Sequence, residues 1–135
     1  MRPEIVAEAL EWVGTPFRWQ ASLKGVGADC KGFVWGVARN CGLSEAESLY
    51  ARMADYSVHV PTALLLKGLR ETLTQVREPE PGDVPLMNLR GKAQHLGIYT
   101  GDDVIHAYVG SRRVIAQPYA IVARHFPIHS FWRFG

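Results

Sequence analysis

Cysteine is scarce in this 135-residue chain: two residues, Cys30 and Cys41, too few for a disulfide framework and read as free thiols. No Cys-x-x-Cys or His-Glu-x-x-His pattern occurs, so the usual local signatures of a zinc site are missing, and neither metal nor cofactor is expected. Charge of one sign is also scarce. Fifteen Lys and Arg against thirteen Asp and Glu leave a net charge of +2, without the strong basic excess of a nucleic-acid binder. Apolar runs such as Ala63-Leu64-Leu65-Leu66 stop far short of the roughly twenty residues of a spanning helix, so no membrane insertion is expected. The start, Met1-Arg2-Pro3-Glu4-Ile5, lacks the apolar core and small-residue cleavage site of a secretory leader. A protein made in the cytoplasm, and carried outward by something else if it acts outside, is the expectation. Repeats and low-complexity tracts are absent. Length and an ordinary balance of apolar and charged residues suit one domain over residues 1–135.

Helical spacing comes first along the chain. Pro3 opens a run in which Ile5, Val6, Ala9, Leu10 and Val13 are apolar, predicting a helix with one buried face. A Gly-containing loop over residues 24–29 ends in Asp29, placed as an N-cap. Cys30 opens a second helix through Phe33, Val34, Val37, Ala38 and Cys41, with Gly42 as its stop. Residues 44–60 support no assignment, and Pro61 through Leu73 reads as a third helix. After the break at Pro79-Glu80-Pro81-Gly82-Asp83 come strands: His95 to Thr100 and Val104 to Val109, joined through Gly101-Asp102-Asp103. Stretches around Val114-Ile115 and Phe131-Trp132 complete a small sheet. Helices followed by strands give an α+β fold, with the N-terminal helices on one side of an antiparallel sheet.

Three residues carry the chemistry. Cys30 sits in the first turn behind Asp29, where unpaired N–H groups and the helix dipole favour an anion and are expected to lower the thiol pKa. Cys41 lies about 16 Å along the same helix, beyond disulfide reach and at the wrong end for activation. His95 is the candidate base. With Thr100 to Asp103 as a four-residue turn, His95 opposes Tyr108, and His106 is its diagonal neighbour, roughly 7–8 Å away between backbones. His106 can then fix the tautomer of His95. Asp102, Asp103 and Gln117 remain alternatives for that orienting role.

Gly14-Thr15-Pro16-Phe17-Arg18-Trp19, Asp29-Cys30-Lys31-Gly32-Phe33-Val34, His95-Leu96-Gly97-Ile98-Tyr99-Thr100-Gly101 and Ile105-His106-Ala107 resemble, in order, the successive motifs of the NlpC-type cell-wall cysteine peptidases. The stretch Lys24-Gly25-Val26-Gly27-Ala28-Asp29-Cys30 looks most like the small phage and gene-transfer-agent members. The resemblance implies a papain-like α+β domain that hydrolyses peptidoglycan stem peptides, typically between D-glutamate and a diamino acid. It implies Cys30 as nucleophile, His95 as base and His106 as the third, orienting residue. Trp19, Asp29 and Lys31 are placed beside the substrate, with phage-tail proteins as possible partners and the cell wall as the place of action.

Departures accompany the likeness. Relatives carry Tyr then Gly-Gly where this chain has Trp19-Gln20-Ala21, and Ser where it has Lys31. Pro85 is expected to interrupt the strand at Gly82-Asp83-Val84. Three competing readings use the same residues: a zinc site on Cys30, His95 and His106; a docking module that has lost catalysis; and an acyltransferase with the same cysteine chemistry.

Overall fold

Pro3, with no N–H to lose and a fixed φ, starts helix α1 (Pro3–Glu11). The computed structural model describes residues 2–43 and 61–135. The stretch 44–60, for which the sequence supports no element, lies outside the described residues. The buried stripe of α1 is narrower than its apolar pattern predicts. Ile5, Ala9 and Trp12 just past its end are buried, whereas Leu10 and Val13 are exposed. The reason lies in the next helix, α2 (Cys30–Asn40): Gly36 leaves room for the Trp12 indole, which meets Phe33 edge-on with centroids 5.8 Å apart.

Helix α2 is the centre of the molecule. Its Phe33, Val34, Val37 and Ala38 are fully buried between α1 and the strands beyond. Asp29 caps it as expected, its Oδ1 accepting from the Gly32 N–H at 2.7 Å, and Gly42 with φ +74° lies just beyond its end. Ahead of α2 the loop folds as a short hairpin, β1 (Ser22–Leu23) with β2 (Gly27–Ala28). Gly32 meets this region at close quarters, because a Cβ there would overlap the Ala21 carbonyl oxygen. Gly32→Ala is therefore expected to force the loop off the helix and to cost about 1–3 kcal/mol, read as a lower midpoint in urea unfolding. An unchanged midpoint would contradict that packing.

Helix α3 (Thr62–Thr72) follows Pro61 as predicted. The strands then differ from the single small sheet expected. Among the described residues these strands pair antiparallel, but they form a four-stranded sheet in the order β3 (Thr74–Val76), β9 (Ile128–Arg133), β4 (Val84–Leu89), β5 (Lys92–Leu96), and a three-stranded sheet β6 (Ile98–Tyr99), β7 (Asp103–Tyr108), β8 (Arg113–Pro118). The predicted strand His95 to Thr100 is thus two strands, divided at Gly97. Before Gly97 the chain pairs with β4, and after it with β7. A side chain at Gly97 would press on the Ile105 carbonyl and the His106 Cβ, so the crossover needs glycine. The two sheets stay joined where the Tyr99 N–H donates to the Asp83 carbonyl and the Gly82 N–H to the Tyr99 carbonyl.

Pro85 does not interrupt β4. Pairing with β5 begins only at Leu86, so at Pro85 the strand has β9 on one side alone, where a missing donor is tolerated. Next to it, Asp83 is buried and accepts a bidentate pair from Arg133 at 2.9 and 2.8 Å, fastening the start of β4 to the end of β9. Helix α4 (Tyr119–His125), which the sequence reading lacks, leads from β8 into β9. The result is an α+β fold with helices packed on antiparallel sheets, as the sequence implies.

Candidate active site

Cys30 is the first residue of α2, and Asp29 organises everything around it. Beyond its cap to Gly32, Asp29 accepts from the Gln20 N–H through Oδ2 at 2.7 Å, and its own N–H donates to the Ala21 carbonyl at 3.2 Å. The loop carrying Trp19 is thereby folded against the start of the helix. Gln20 stands at φ +61°, a left-handed conformation, at one of the positions where the resemblance expects glycine. With its carboxylate so engaged and only 2% exposed, Asp29 does not line the cleft. In the structure these bonds shape the loop ahead of α2.

The Cys30 sulfur lies against β5 beside His95: its thiol donates to the Gln94 carbonyl across 3.9 Å, and the Leu96 backbone on the other side favours its thiolate. Burial nevertheless pushes the Cys30 thiol above its ordinary range. Lys31 works against that shift and Asp29 with it. This corrects the lowered pKa expected from the helix terminus, because loss of water outweighs the dipole and the neighbouring cation. Cys41, half-buried against the core, is also raised by burial.

His95 and His106 meet, but not through one hairpin ladder. The turn Thr100 to Asp103 sets Tyr99 opposite Val104 and Ile98 opposite Ile105, as predicted, and that pairing ends at Ile98. His95 lies beyond Gly97 on β5, paired with Met87 of β4 rather than with Tyr108 as the register predicts, and its ring still reaches His106. His95 Nε2 and His106 Nδ1 are 2.8 Å apart. Of the alternatives for orienting His95, Asp102 and Asp103 stay in the turn. Gln117 is close by, but its Oε1 lies 2.9 Å from His106 Nε2 rather than on His95.

Two aromatic residues hold the pair in place: Tyr108, which the sequence sets opposite His95, and Phe126, which sequence reasoning missed. Phe126 packs on both rings, 4.9 Å from the His95 centroid and 5.6 Å from that of His106, while Tyr108 stacks on His106 at 6.1 Å. Phe126 arrives at the end of α4. The signal for that helix was present: Tyr119, Val122 and Phe126 follow helical spacing directly after Pro118.

Cys30 and His95 open together into a cleft of about 410 Å³, counting space open to solvent. Phe17, Trp19, Leu89 and Tyr108 form much of its wall. Trp19, 45% exposed and edge-on to Phe17 at 4.8 Å, is the tryptophan placed at the site; Trp12, Trp35 and Trp132 are core. Among the described residues lining the cleft, Lys31 carries the one formal charge. His106 sits behind His95, fully buried.

Burial lowers the pKa of His95 to about 3, with His106 and Lys31 adding to the effect. Burial also lowers that of His106, partly offset by the bond to Gln117. Both imidazoles are therefore neutral near neutrality. Below pH 6.5 an unfolded chain takes up protons that the folded one refuses. Stability is thus full above about pH 6.5 and falls as pH drops toward about 3. Urea unfolding across that window is expected to show this slope, and to show a shallower one for His95→Phe. Identical slopes would contradict the neutral buried pair.

The fold has counterparts among solved structures. The sequence pattern of the NlpC/P60 family matches residues 14–126, a span containing Cys30, His95, His106 and Gln117. The chain belongs to the NlpC/P60 family. The NlpC/p60 domain of the peptidoglycan hydrolase SagA superposes with a TM-score of 0.63 at 20% identity, covering 99% of each chain. An NlpC/P60 family protein from Bacillus cereus gives 0.71 at 18% identity, over 99% of this chain and 40% of its own. RipD from Mycobacterium tuberculosis, a non-catalytic NlpC/p60 domain protein adapted to peptidoglycan binding, gives 0.63 at 15% identity, covering 97% of this chain and 95% of its own. At these identities the likeness is one of fold. No curated protein matches the chain significantly in sequence.

Proposed function

We propose that this NlpC/P60 chain is a cysteine amidohydrolase that cleaves peptidoglycan stem peptides between D-glutamate and the diamino acid. One observation carries the reading: a cysteine at a helix N-terminus and a histidine backed by a second histidine open into the same cleft. RipD shows that the fold also serves without catalysis; the complete Cys30, His95 and His106 set favours hydrolysis here.

The resting site holds a neutral thiol beside a neutral imidazole. As the sulfur attacks the peptide carbonyl, His95 takes the thiol proton, then returns it to the leaving amine. A thioester on Cys30 remains, and water activated by His95 releases it. The N–H of Cys30, at the positive end of α2, faces the developing oxyanion; the Gly32 and Phe33 amides are already engaged by Asp29. Lys31 attracts the free carboxylates such a peptide carries, and Trp19 forms the exposed wall against which it lies.

Residues 1–135 act as one domain in this reading. The enzyme works at the cell wall as a component of a phage or phage-derived particle, with tail proteins as partners. Support for that setting is the resemblance of residues 24–30 alone. Digestion of diaminopimelate-type peptidoglycan, with fragments read by mass spectrometry, tests the bond: new D-glutamate C-termini and diaminopimelate N-termini are expected. Cleavage elsewhere in the peptide would overturn the bond assignment, and no cleavage would overturn the hydrolase.

A further inference from the structure

We infer that Gln117 is a positioning residue that sets the proton direction through both histidines, leaving the Nδ1 of His95 bare for the Cys30 thiol. The three side chains form one line inward from the cleft: His95 Nε2 to His106 Nδ1 at 2.8 Å, then His106 Nε2 to Gln117 Oε1 at 2.9 Å. An amide oxygen only accepts, so His106 Nε2 carries the proton. A neutral His106 then has a bare Nδ1, which accepts from His95 Nε2–H, and a neutral His95 is left with its lone pair on Nδ1. Reversing the Gln117 amide would reverse every step and put a proton on His95 Nδ1, where a base needs none.

Position supports the role. Val104 of β7 pairs with Gln117 of β8 and His106 with Ile115, so Gln117 is the diagonal neighbour of His106. The two imidazoles are almost wholly buried and held by Phe126 and Tyr108, so their ring nitrogens are set by side-chain partners. Gln117 is only half-buried, so substitution there spares the core. Among the described residues, Cys30 and Lys31 on α2, and Tyr108 on β7, are the other titratable groups around the pair, and none is altered by the test.

The kinetic part of that test rests on the hydrolase reading; the spectroscopic part does not. Long-range nitrogen–proton NMR of the imidazoles in the free protein is expected to show both histidines protonated on Nε2, and to show that pattern lost or mixed in Gln117→Met. Gln117→Glu, whose carboxylate can only accept, is expected to restore the wild-type pattern. In peptide hydrolysis Gln117→Met should lose about 10–100-fold in kcat with little change in KM. Gln117→Glu should recover most of that loss, with the acidic limb of its pH profile moved upward by the added negative charge. A proton on Nδ1 of His106 in the wild type, or the same tautomers in Gln117→Met as in the wild type, would overturn the inference. Wild-type protein with the expected tautomers but no hydrolysis would uphold it and overturn the hydrolase reading instead.

Discussion

Cys30→Ala is expected to lower the release of peptides from diaminopimelate-type peptidoglycan by roughly 10⁴-fold or more while leaving the protein folded. Loss on that scale follows because Cys30 is the one thiol among the described residues lining the cleft: Cys41 is at the far end of α2, packed beside α1 with its thiol donating to the Glu4 carbonyl at 3.5 Å. Folding survives because the start of α2 does not depend on the thiol. Asp29 holds the helix through Gly32 and the preceding loop through Gln20, and alanine suits a first helical turn. The thiol itself donates only across the long contact to the Gln94 carbonyl among the described residues. Thermal unfolding within a few degrees of wild type, together with lost turnover, is the expected pair of readings. Turnover within tenfold of wild type would show that Cys30 is not the attacking group.

His95→Gln is expected to reduce kcat by about 10²–10⁴-fold, the range of a lost general acid–base, with a smaller effect on KM. The effect is large because burial holds the Cys30 thiol protonated, so attack needs a group to receive that proton. In a site with a preformed thiolate the loss would be smaller. Glutamine roughly keeps the volume against Phe126 but offers no base. The variant should also be less sensitive to acid than wild type, since it removes a group whose folded pKa lies near 3 against 6.5 when unfolded. Activity and acid stability thus move in opposite directions, which general damage to the fold would not produce. A His95→Gln enzyme with wild-type kcat would remove the base from the mechanism.

Local chemistry made the start of the site readable. The cap at Asp29, the first-turn place of Cys30 and the stop near Gly42 are set within a few residues of each other, and each is found where its residue type predicts. The Thr100 to Asp103 turn fixes the register of β6 on β7 and so brings His95 toward His106, although His95 itself pairs with β4. What escaped depends on distant partners. Nothing near Gly97 tells that β5 pairs backward with β4 while β6 pairs forward with β7, because that division depends on strands lying on either side of it in the chain. Pro85 is tolerated for the same non-local reason. Helix α4 is short and stands close to two prolines, so its three apolar positions gave a weak period, and Phe126 went unnoticed with it. The pKa of Cys30 was misjudged in sign, since a helix dipole is visible in the sequence whereas burial of the thiol is a property of the assembled fold. Gln117 was legible only as a neighbour of the histidines. Its place one step behind His106 required the pairing of β7 with β8.

The central claim is that Cys30 forms a covalent thioester with the glutamyl side of a stem peptide. The most direct measurement is rapid acid quenching of the wild-type protein with L-Ala-γ-D-Glu-meso-diaminopimelate, followed by mass spectrometry of the intact chain and of its Cys30 peptide. An adduct of the mass of the L-Ala-γ-D-Glu acyl group, located on Cys30 and absent from Cys30→Ala, is the predicted result. Product formed by Cys30→Ala at the wild-type rate, or an adduct on any other residue, would contradict it.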